Sequence, residues 1–381
     1  MKTTLLALTM GLLTISSVTV LAETQNPLKV TAKELPIPVH ASESIKQFLK
    51  MAPAPDIETM KTAPMPQTIE EWKAYVVAFD KPGIEQGIQL ARKLNINYEK
   101  QMIQGVEVYY STPPAIDDKN KNNLFLHLHG GAFLYGGNES ILREASVIAH
   151  YLKMPVLSVN YRKAPDFPAP AAVNDILTVW ADLLTERPAD SVIIGGTSAG
   201  GNLTAASILR MKDVNLPLPA AAFIGTPTVD IVNQNDSRYI NDGVDGILGT
   251  WDGGASATAE QYIGNQDPKS PYLSPIYGDF TKFPPSILVT GTRDLLLSDT
   301  ALIHRAIRNA GSVADLHIYE AHSHASYFIP GEDQVNFYGE LADFTDRFLV
   351  RYEKLEKEKS VSSLNLKDIL IPAKNIQDNN K

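Results

Sequence analysis

From residue 104 to residue 354 the chain alternates short, continuous apolar runs with longer segments in which apolar residues recur every three or four positions. The runs predict strands near 104–110, 124–129, 155–160, 191–195, 220–225, 286–291 and 315–319; the longer segments predict helices near 139–153, 171–185, 199–212, 299–311 and 333–354. Strands that read as unbroken apolar runs belong to sheets covered on both faces. The pattern therefore predicts an α/β fold, a doubly wound, mostly parallel sheet with helices on both sides. Ahead of it, residues 23 to about 68 are rich in proline with short apolar segments such as Ile45 to Met51, and Glu70 to Leu94 has helical periodicity broken at Pro82-Gly83. Between Pro227 and Pro271 the alternation is interrupted by a polar, Gly- and Asn-rich stretch containing Trp251, Tyr262 and Ile263, which reads either as a functional insertion or as a surface excursion. The chain after Leu355 is polar and reads as a poorly ordered tail.

At 381 residues and 44% apolar content the chain has enough material for one large α/β domain with accessory helices. Its first 22 residues change the picture of where it works. Lys2, the apolar run Leu5 to Leu21 and the small-residue end Val20-Leu21-Ala22 read as a signal peptide cleaved after Ala22, which implies a periplasmic or secreted protein. The rival reading, a retained anchor, is weakened by the Thr and Ser residues in that run. There is no cysteine, which removes disulfides, thiolate catalysis and Cys-based metal sites. A formal charge of −9 gives no support to nucleic acid or an anionic membrane as main partner, and Glu353 to Lys359 mixes both signs like a solvated helix end.

The candidate chemistry lies at the ends of the predicted strands. Gly196-Thr197-Ser198-Ala199-Gly200 follows the apolar run Val192-Ile193-Ile194 and opens a helical segment, so a serine sits at the apex of a strand–turn–helix. A chain this long holds such a pattern by chance about one time in eight, so neighbouring features must carry the argument. Upstream, Leu124 to Leu128 runs into His129-Gly130-Gly131-Ala132, a loop whose backbone N–H groups, with that of Ala199, could stabilise the oxyanion of an acyl-transfer reaction. Downstream, Ser286 to Thr290 leads into Gly291-Thr292-Arg293-Asp294, and Leu316 to Tyr319 leads into Glu320-Ala321-His322-Ser323-His324. A nucleophile, a carboxylate and an imidazole thus follow three strands in the order Ser198, Asp294, His324. Asp299 rivals Asp294, and His322 rivals His324. The His-x-His spacings at 127/129 and 322/324 could suggest a metal, but neither has a carboxylate at ligand spacing, so no metal or cofactor is expected. Asp175 and Asp230 read as structural hydrogen-bonding groups, and Arg162 as a buried ion-pair partner.

These motifs, with Tyr161-Arg162-Lys163-Ala164-Pro165 and Phe167-Pro168-Ala169-Pro170-Ala171-Ala172, give the chain from about residue 105 to 350 a resemblance to the hormone-sensitive-lipase-like esterases, a branch of the α/β hydrolases. Three positions depart from the family's pattern: Asp166 stands for a usual Glu, Ala132 for the third glycine of the His-Gly-Gly-Gly loop, and Thr197, as in a recognised subgroup, for Asp. The resemblance implies an α/β-hydrolase catalytic domain over 101–355 beneath a helical cap formed by 23–100 and an insertion at 228–271. It implies a Ser198–His324–Asp294 triad with an oxyanion hole from Gly130, Gly131, Ala132 and Ala199, the family's Tyr-Glu-Gly-x-x-His run favouring His324 over His322. The implied activity is hydrolysis of short to medium acyl esters or lactones through an acyl-enzyme, with a small-molecule substrate and a homodimer allowed. Deacetylation of a polysaccharide or small molecule, a non-catalytic ligand-binding role and slow amide hydrolysis are the alternatives.

Overall fold

In the computed structural model the described residues are 34–52, 54–232, 235–355 and 365–372. The expected signal segment lies outside them, as does most of the tail. The chain divides into a unit ending at Pro36 and one beginning at Ile37, and the fold described is that of the second.

Eight strands form one sheet: β1 Asn97–Ile103, β2 Val106–Thr112, β3 Leu124–Leu128, β4 Val156–Val159, β5 Val192–Thr197, β6 Ala221–Gly225, β7 Ser286–Gly291 and β8 Ala314–Tyr319. Their spatial order is β1-β2-β4-β3-β5-β6-β7-β8. The six strands from β3 onward are parallel to their partners among themselves, while β2 runs antiparallel to both β1 and β4. The chain runs from β3 outward to β4, then returns to place β5 on the other side of β3. The crevice beyond the carboxyl ends of β3 and β5 is thus the topological switch point where such sheets place their sites.

Successive strand residues go to opposite faces, and both faces are buried. Leu124, Leu126, Leu128, Val192, Ile194, Ala222, Ile224 and Leu288 join one core, and Phe125, Ile193, Ala221, Phe223, Ile287 and Val289 the other. The first face is covered by α5 Ala171–Leu183, α6 Ala199–Asp213 and α9 Leu297–Asn309 through residues such as Ile176, Ala205 and Ile303. The second is covered by α4 Leu142–Leu152 and α10 Glu332–Phe348 through Ile148, Phe337 and Leu341. Each fully buried Val, Leu, Ile or Phe among them contributes about 1.5–3 kcal/mol over its exposed state. α10 stops at Phe348, short of the predicted 354, because the chain leaves to pair Val350 N–H with the Asp190 carbonyl.

Four further findings differ from the sequence reading. The strand expected at 104–110 is the second arm of a hairpin: Gln104 and Gly105 both have positive φ in a two-residue turn, and β1 precedes it. β1 escaped notice because it is polar and exposed, with no apolar run to mark it. Helix α3, Ile69–Lys93, continues through Pro82-Gly83. It starts at a Thr68/Glu71 capping box, and it holds together because a Cβ on Gly83 or Gly87 would strike Ser140 or the Glu139 carbonyl, so the glycines permit close packing that outweighs local propensity. Within the expected tail, α11 Leu366–Ile369 docks on the body: Ile369 is buried, Arg210 donates to the carbonyls of Ile369 and Leu370, and Asn174 exchanges two hydrogen bonds with Ile371. Finally, Arg162 pairs with Asp175 as expected of an ion pair, at 2.8 Å, but its side chain is half exposed rather than buried.

Ahead of α3 lie two short helices, α1 Glu43–Met51 and α2 Ile57–Thr62, and within the insertion two more, α7 Asp236–Ile240 and α8 Gly254–Ile263. The two regions touch: Phe48 lies over Gly246, Ile57 beside Gly243, and Lys61 Nζ is 2.9 Å from Asp242. Among the described residues no helix is long and apolar enough to cross a membrane.

Candidate active site

Ser198 sits between β5 and α6 at φ 60°, ψ −119°, a conformation that costs a non-glycine residue about 1–3 kcal/mol. The flanking glycines explain how the turn is held. A Cβ on either Gly196 or Gly200 would run into the carbonyl oxygen of Leu128, at the end of β3. The elbow is therefore pressed directly against the neighbouring strand's backbone, beside the loop that begins at His129. A Cβ on Gly130 would lie 3.5 Å from Ser198 Cβ, so the glycine-rich loop and the serine are in contact. Ala199 is the first residue of α6, where backbone N–H groups lack intrahelical partners and the helix dipole favours negative charge.

The loop after His129 takes a strained path, with positive φ at Gly131, Ala132 and Phe133. Ala132 adopts it in place of a third glycine, and Gly131's carbonyl closes the turn by accepting from Leu134 and Tyr135 N–H. His129 supports it from below: its Nδ1 lies 2.7 Å from the Gly130 carbonyl, its ring stacks on Tyr161 at 4.1 Å, and the Tyr161 hydroxyl donates to the His129 carbonyl at 2.8 Å. Burial and the nearby Lys163 charge hold this imidazole neutral, well below its usual pKa. At the far end of the loop Asp80, from α3, accepts the Gly136 N–H at 2.7 Å.

The His–Asp pair hangs on the next strand. Ser198 N–H donates to the Gly225 carbonyl at the end of β6. The following residue, Thr226, donates its hydroxyl to Asp294 and lies 3.2 Å from His324 Nδ1. His324 Nδ1 is also 3.2 Å from Asp294 Oδ1, so one N–H is shared between carboxylate and hydroxyl. Asp294 further accepts from the Thr290 hydroxyl at 3.1 Å and Leu296 N–H at 2.8 Å, and is fully buried. Burial disfavours a charged His324, but the Asp294 charge and hydrogen bond, with a further contribution from Asp245, outweigh it and raise its pKa. Ser198 and the His–Asp pair are thus fixed by two consecutive residues of one strand end.

The rivals are engaged elsewhere. Asp299 accepts Val229 and Asp230 N–H and pairs with buried Arg238 at 2.9 Å. His322 turns to Asp333 at 2.8 Å. His127 lies 2.9 Å from Ser158 Oγ and 3.1 Å from Glu144, away from His129's partners. Asp230 accepts the Val232 N–H and the Tyr277 hydroxyl. Thr197, just before the serine, donates to buried Glu144 at 2.5 Å and is 2.7 Å from the Tyr327 hydroxyl, a polar cluster beneath the elbow.

A narrow pocket, with a cavity volume of about 50 Å³, opens at Ser198, Ala132 and Ala199. Phe133, Ile231, Leu248, Trp251 and Leu296 supply most of its wall, and among the described residues no charged side chain lines it. Phe133 is stacked on Tyr262 at 3.8 Å, and the Arg238 guanidinium lies 3.7 Å from the Trp251 ring centre. The insertion and the segments that follow β3, β5 and β7 therefore form the wall, and none of the lining residues comes from the N-terminal segment.

Sequence reasoning missed Thr226, Asp245, Asp80 and Glu144. Thr226 had a usable signal, since it directly follows a predicted strand on the side where site residues gather. The three carboxylates had none: Asp245 lies in a stretch without periodicity, Asp80 is in a helix, and Glu144 is an acidic residue on a predicted core helix.

A family model described as an α/β hydrolase fold matches residues 125–328. An acetyl-hydrolase of Streptomyces hygroscopicus is 32% identical over 188 residues, which are 49% of this chain and 62% of that protein; an esterase of Acinetobacter venetianus is 29% identical over 199 residues, 51% and 63%. The matched region thus spans less than two thirds of these curated relatives. The crystal structure of an esterase superposes with a TM-score of 0.83 at 38% identity, over 86% of this chain and 100% of that one. A hormone-sensitive lipase from a metagenome library shares the fold at a TM-score of 0.68 and 23% identity, over 81% of this chain and 100% of that one. With the family model covering more than half of the chain, this protein belongs to the α/β hydrolases, in their hormone-sensitive-lipase-like branch.

Proposed function

We propose that the chain is a serine carboxylic ester hydrolase acting on uncharged esters with short to medium acyl groups, or on lactones. The observation that carries the reading is the junction at the end of β6, where Gly225 holds the Ser198 backbone and Thr226 holds His324 and Asp294. In the proposed reaction His324 removes the Ser198 proton as the hydroxyl attacks the ester carbonyl, with Asp294 fixing the tautomer and balancing the imidazolium. The N–H groups of Gly130, Gly131, Ala132 and Ala199 are the candidates to receive the oxyanion, and a pocket without charged walls suits an uncharged acyl group. His324 then protonates the leaving alcohol, and water activated by the same base releases the acid. The named activities of the relatives, acetyl-hydrolase and esterase, support this class of bond. A cavity of about 50 Å³ is far smaller than the usual ligand site, which favours acetyl and other short groups and keeps a deacetylase within the same reading. Export of the mature chain to the periplasm or exterior, from the segment ending at Ala22, is part of the proposal.

Hydrolysis of p-nitrophenyl esters from acetate to palmitate by the wild type and by Ser198→Ala tests it. Turnover is expected to peak at short chains and to fall by at least about 10⁴-fold in the variant. Unchanged turnover in Ser198→Ala overturns the reading.

A further inference from the structure

We propose that Asp245 is a positioning residue of this site: a buried carboxylate that ties the His324 loop and the Asp294 loop to the insertion walling the pocket, and that balances the charge His324 acquires. The inference rests on the ester-hydrolase reading and deepens it.

Asp245 lies between α7 and α8 and has no exposed surface. Its Oδ1 accepts the backbone N–H of Ile247 at 2.9 Å and of Leu248 at 3.0 Å. Its Oδ2 accepts Leu295 N–H at 2.9 Å, and both oxygens face the His324 N–H, at 3.3 and 3.2 Å. The two contacts within its own loop are an ordinary turn arrangement. The other two are not local. Leu295 follows Asp294 directly, His324 is the base itself, and Leu248 lines the pocket. One side chain therefore joins the substrate wall, the acid loop and the base loop, three segments separated by tens of residues in sequence.

All four partners are N–H donors. A proton on Asp245 would face donors and find no acceptor, so the contacts select the ionised carboxylate even though burial and the nearby Asp294 charge push its pKa up. The charged groups facing His324 are Asp294 from the β7 loop and Asp245 from the insertion. On its own loop His322 turns to Asp333 and the Tyr327 hydroxyl to Thr197. When His324 takes the serine proton, it becomes a cation in a region of low effective dielectric with Asp294 hydrogen-bonded to its ring and Asp245 to its backbone, where the second negative charge favours that state.

The test is Asp245→Asn in the full chain, with Ser198→Ala as control, using p-nitrophenyl acetate across pH. Asparagine keeps the shape, but its amide group opposes N–H donors and its charge is gone. The expected result is a fall in kcat of about ten- to a hundredfold with KM changed by less than about threefold, from misplacement of the base. The acid limb of kcat/KM is expected to move to lower pH, because His324 loses a negative neighbour. Wild-type kcat and pH profile overturn the inference. So does a loss of kcat with the acid limb unmoved, which a mispaired buried amide alone would give. If Asp245→Asn does not fold, Asp245→Ser carries the same readouts with the same expected direction. Turnover surviving Ser198→Ala sinks the ester-hydrolase reading itself; turnover lost there but unaltered at position 245 sinks only the present one.

Discussion

The insertion between β6 and β7 and the N-terminal helix α3 each hold one part of the site through a buried carboxylate, but they are built differently around it. The insertion is tied by polar contacts along its length. Asn241 donates to the carbonyls of Asp294 and Thr292, the Ser237 hydroxyl donates to the Leu295 carbonyl, Gly246 N–H donates to Ser323, and Arg238 pairs with Asp299 with both side chains fully buried. Helix α3 reaches the loop after His129 through Asp80 and through Phe79, which packs on Tyr135 at 4.2 Å, while Val77, Phe79 and Tyr75 leave much of their surface in water. His324 and Asp294 are thus clamped by a dense hydrogen-bonded network, whereas α3 gives the loop after His129 one carboxylate and two partly exposed rings, Tyr75 and Phe79. Sequence changes on the insertion side should be felt in stability and catalysis together, and on the helix side in smaller and more separable steps.

The sharpest probe of the clamped side is Asp294→Asn, which is expected to lower kcat on p-nitrophenyl acetate by about 10³–10⁴-fold, since the imidazole loses the partner that fixes its tautomer. The same pair sets the pH response. With the His324 pKa raised above its usual 6.5, the base is protonated and inactive below that raised value, so activity falls as pH drops through a midpoint above 6.5 in a kcat/KM profile. Next in size is Arg238→Met, which leaves Asp299 buried without its cation and is expected to cost about 3–5 kcal/mol in denaturant unfolding. Because Arg238 also lies over Trp251, the same variant is expected to accept longer acyl chains relative to acetate. On the other side, Asp80→Asn is expected to cost about 1–2 kcal/mol and to lower kcat by less than about tenfold, because the Gly136 N–H loses a charged acceptor but the loop keeps its own turn. An effect from Asp80→Asn matching that of Asp294→Asn would break the comparison. Smallest is Val77→Ser, on the exposed face, expected to stay within about 0.5 kcal/mol and to leave kinetics unaltered.

Where apolar continuity carries the fold, the sequence is legible. Val192-Ile193-Ile194 and Ser286 to Thr290 announce buried strands, and Gly196 and Gly200, which the fold presses against Leu128, mark the elbow by their spacing around Ser198. Where long-range polar contacts or packing decide, it is not. β1 has no apolar face to read, α3 survives its proline only because α4 and the turn before it are packed against it, and Asp245 acquires its partners only when segments 50 and 79 residues downstream in the chain come together. Ser198, Asp294 and His324 could be named because each ends a strand; Thr226 ends one too, and its hydroxyl was overlooked because it resembles an ordinary loop threonine.

On the proposed reaction an ester enters the pocket neutral and its acid leaves as an anion. The wall of Phe133, Ile231, Leu248 and Trp251 offers that anion no cation, and away from the N–H groups beside Ser198 an ionised carboxylate in such surroundings loses several kcal/mol of hydration. The apolar wall thus favours the reactant over the product, and on the proposed reaction short carboxylates should bind there more weakly than the esters they come from.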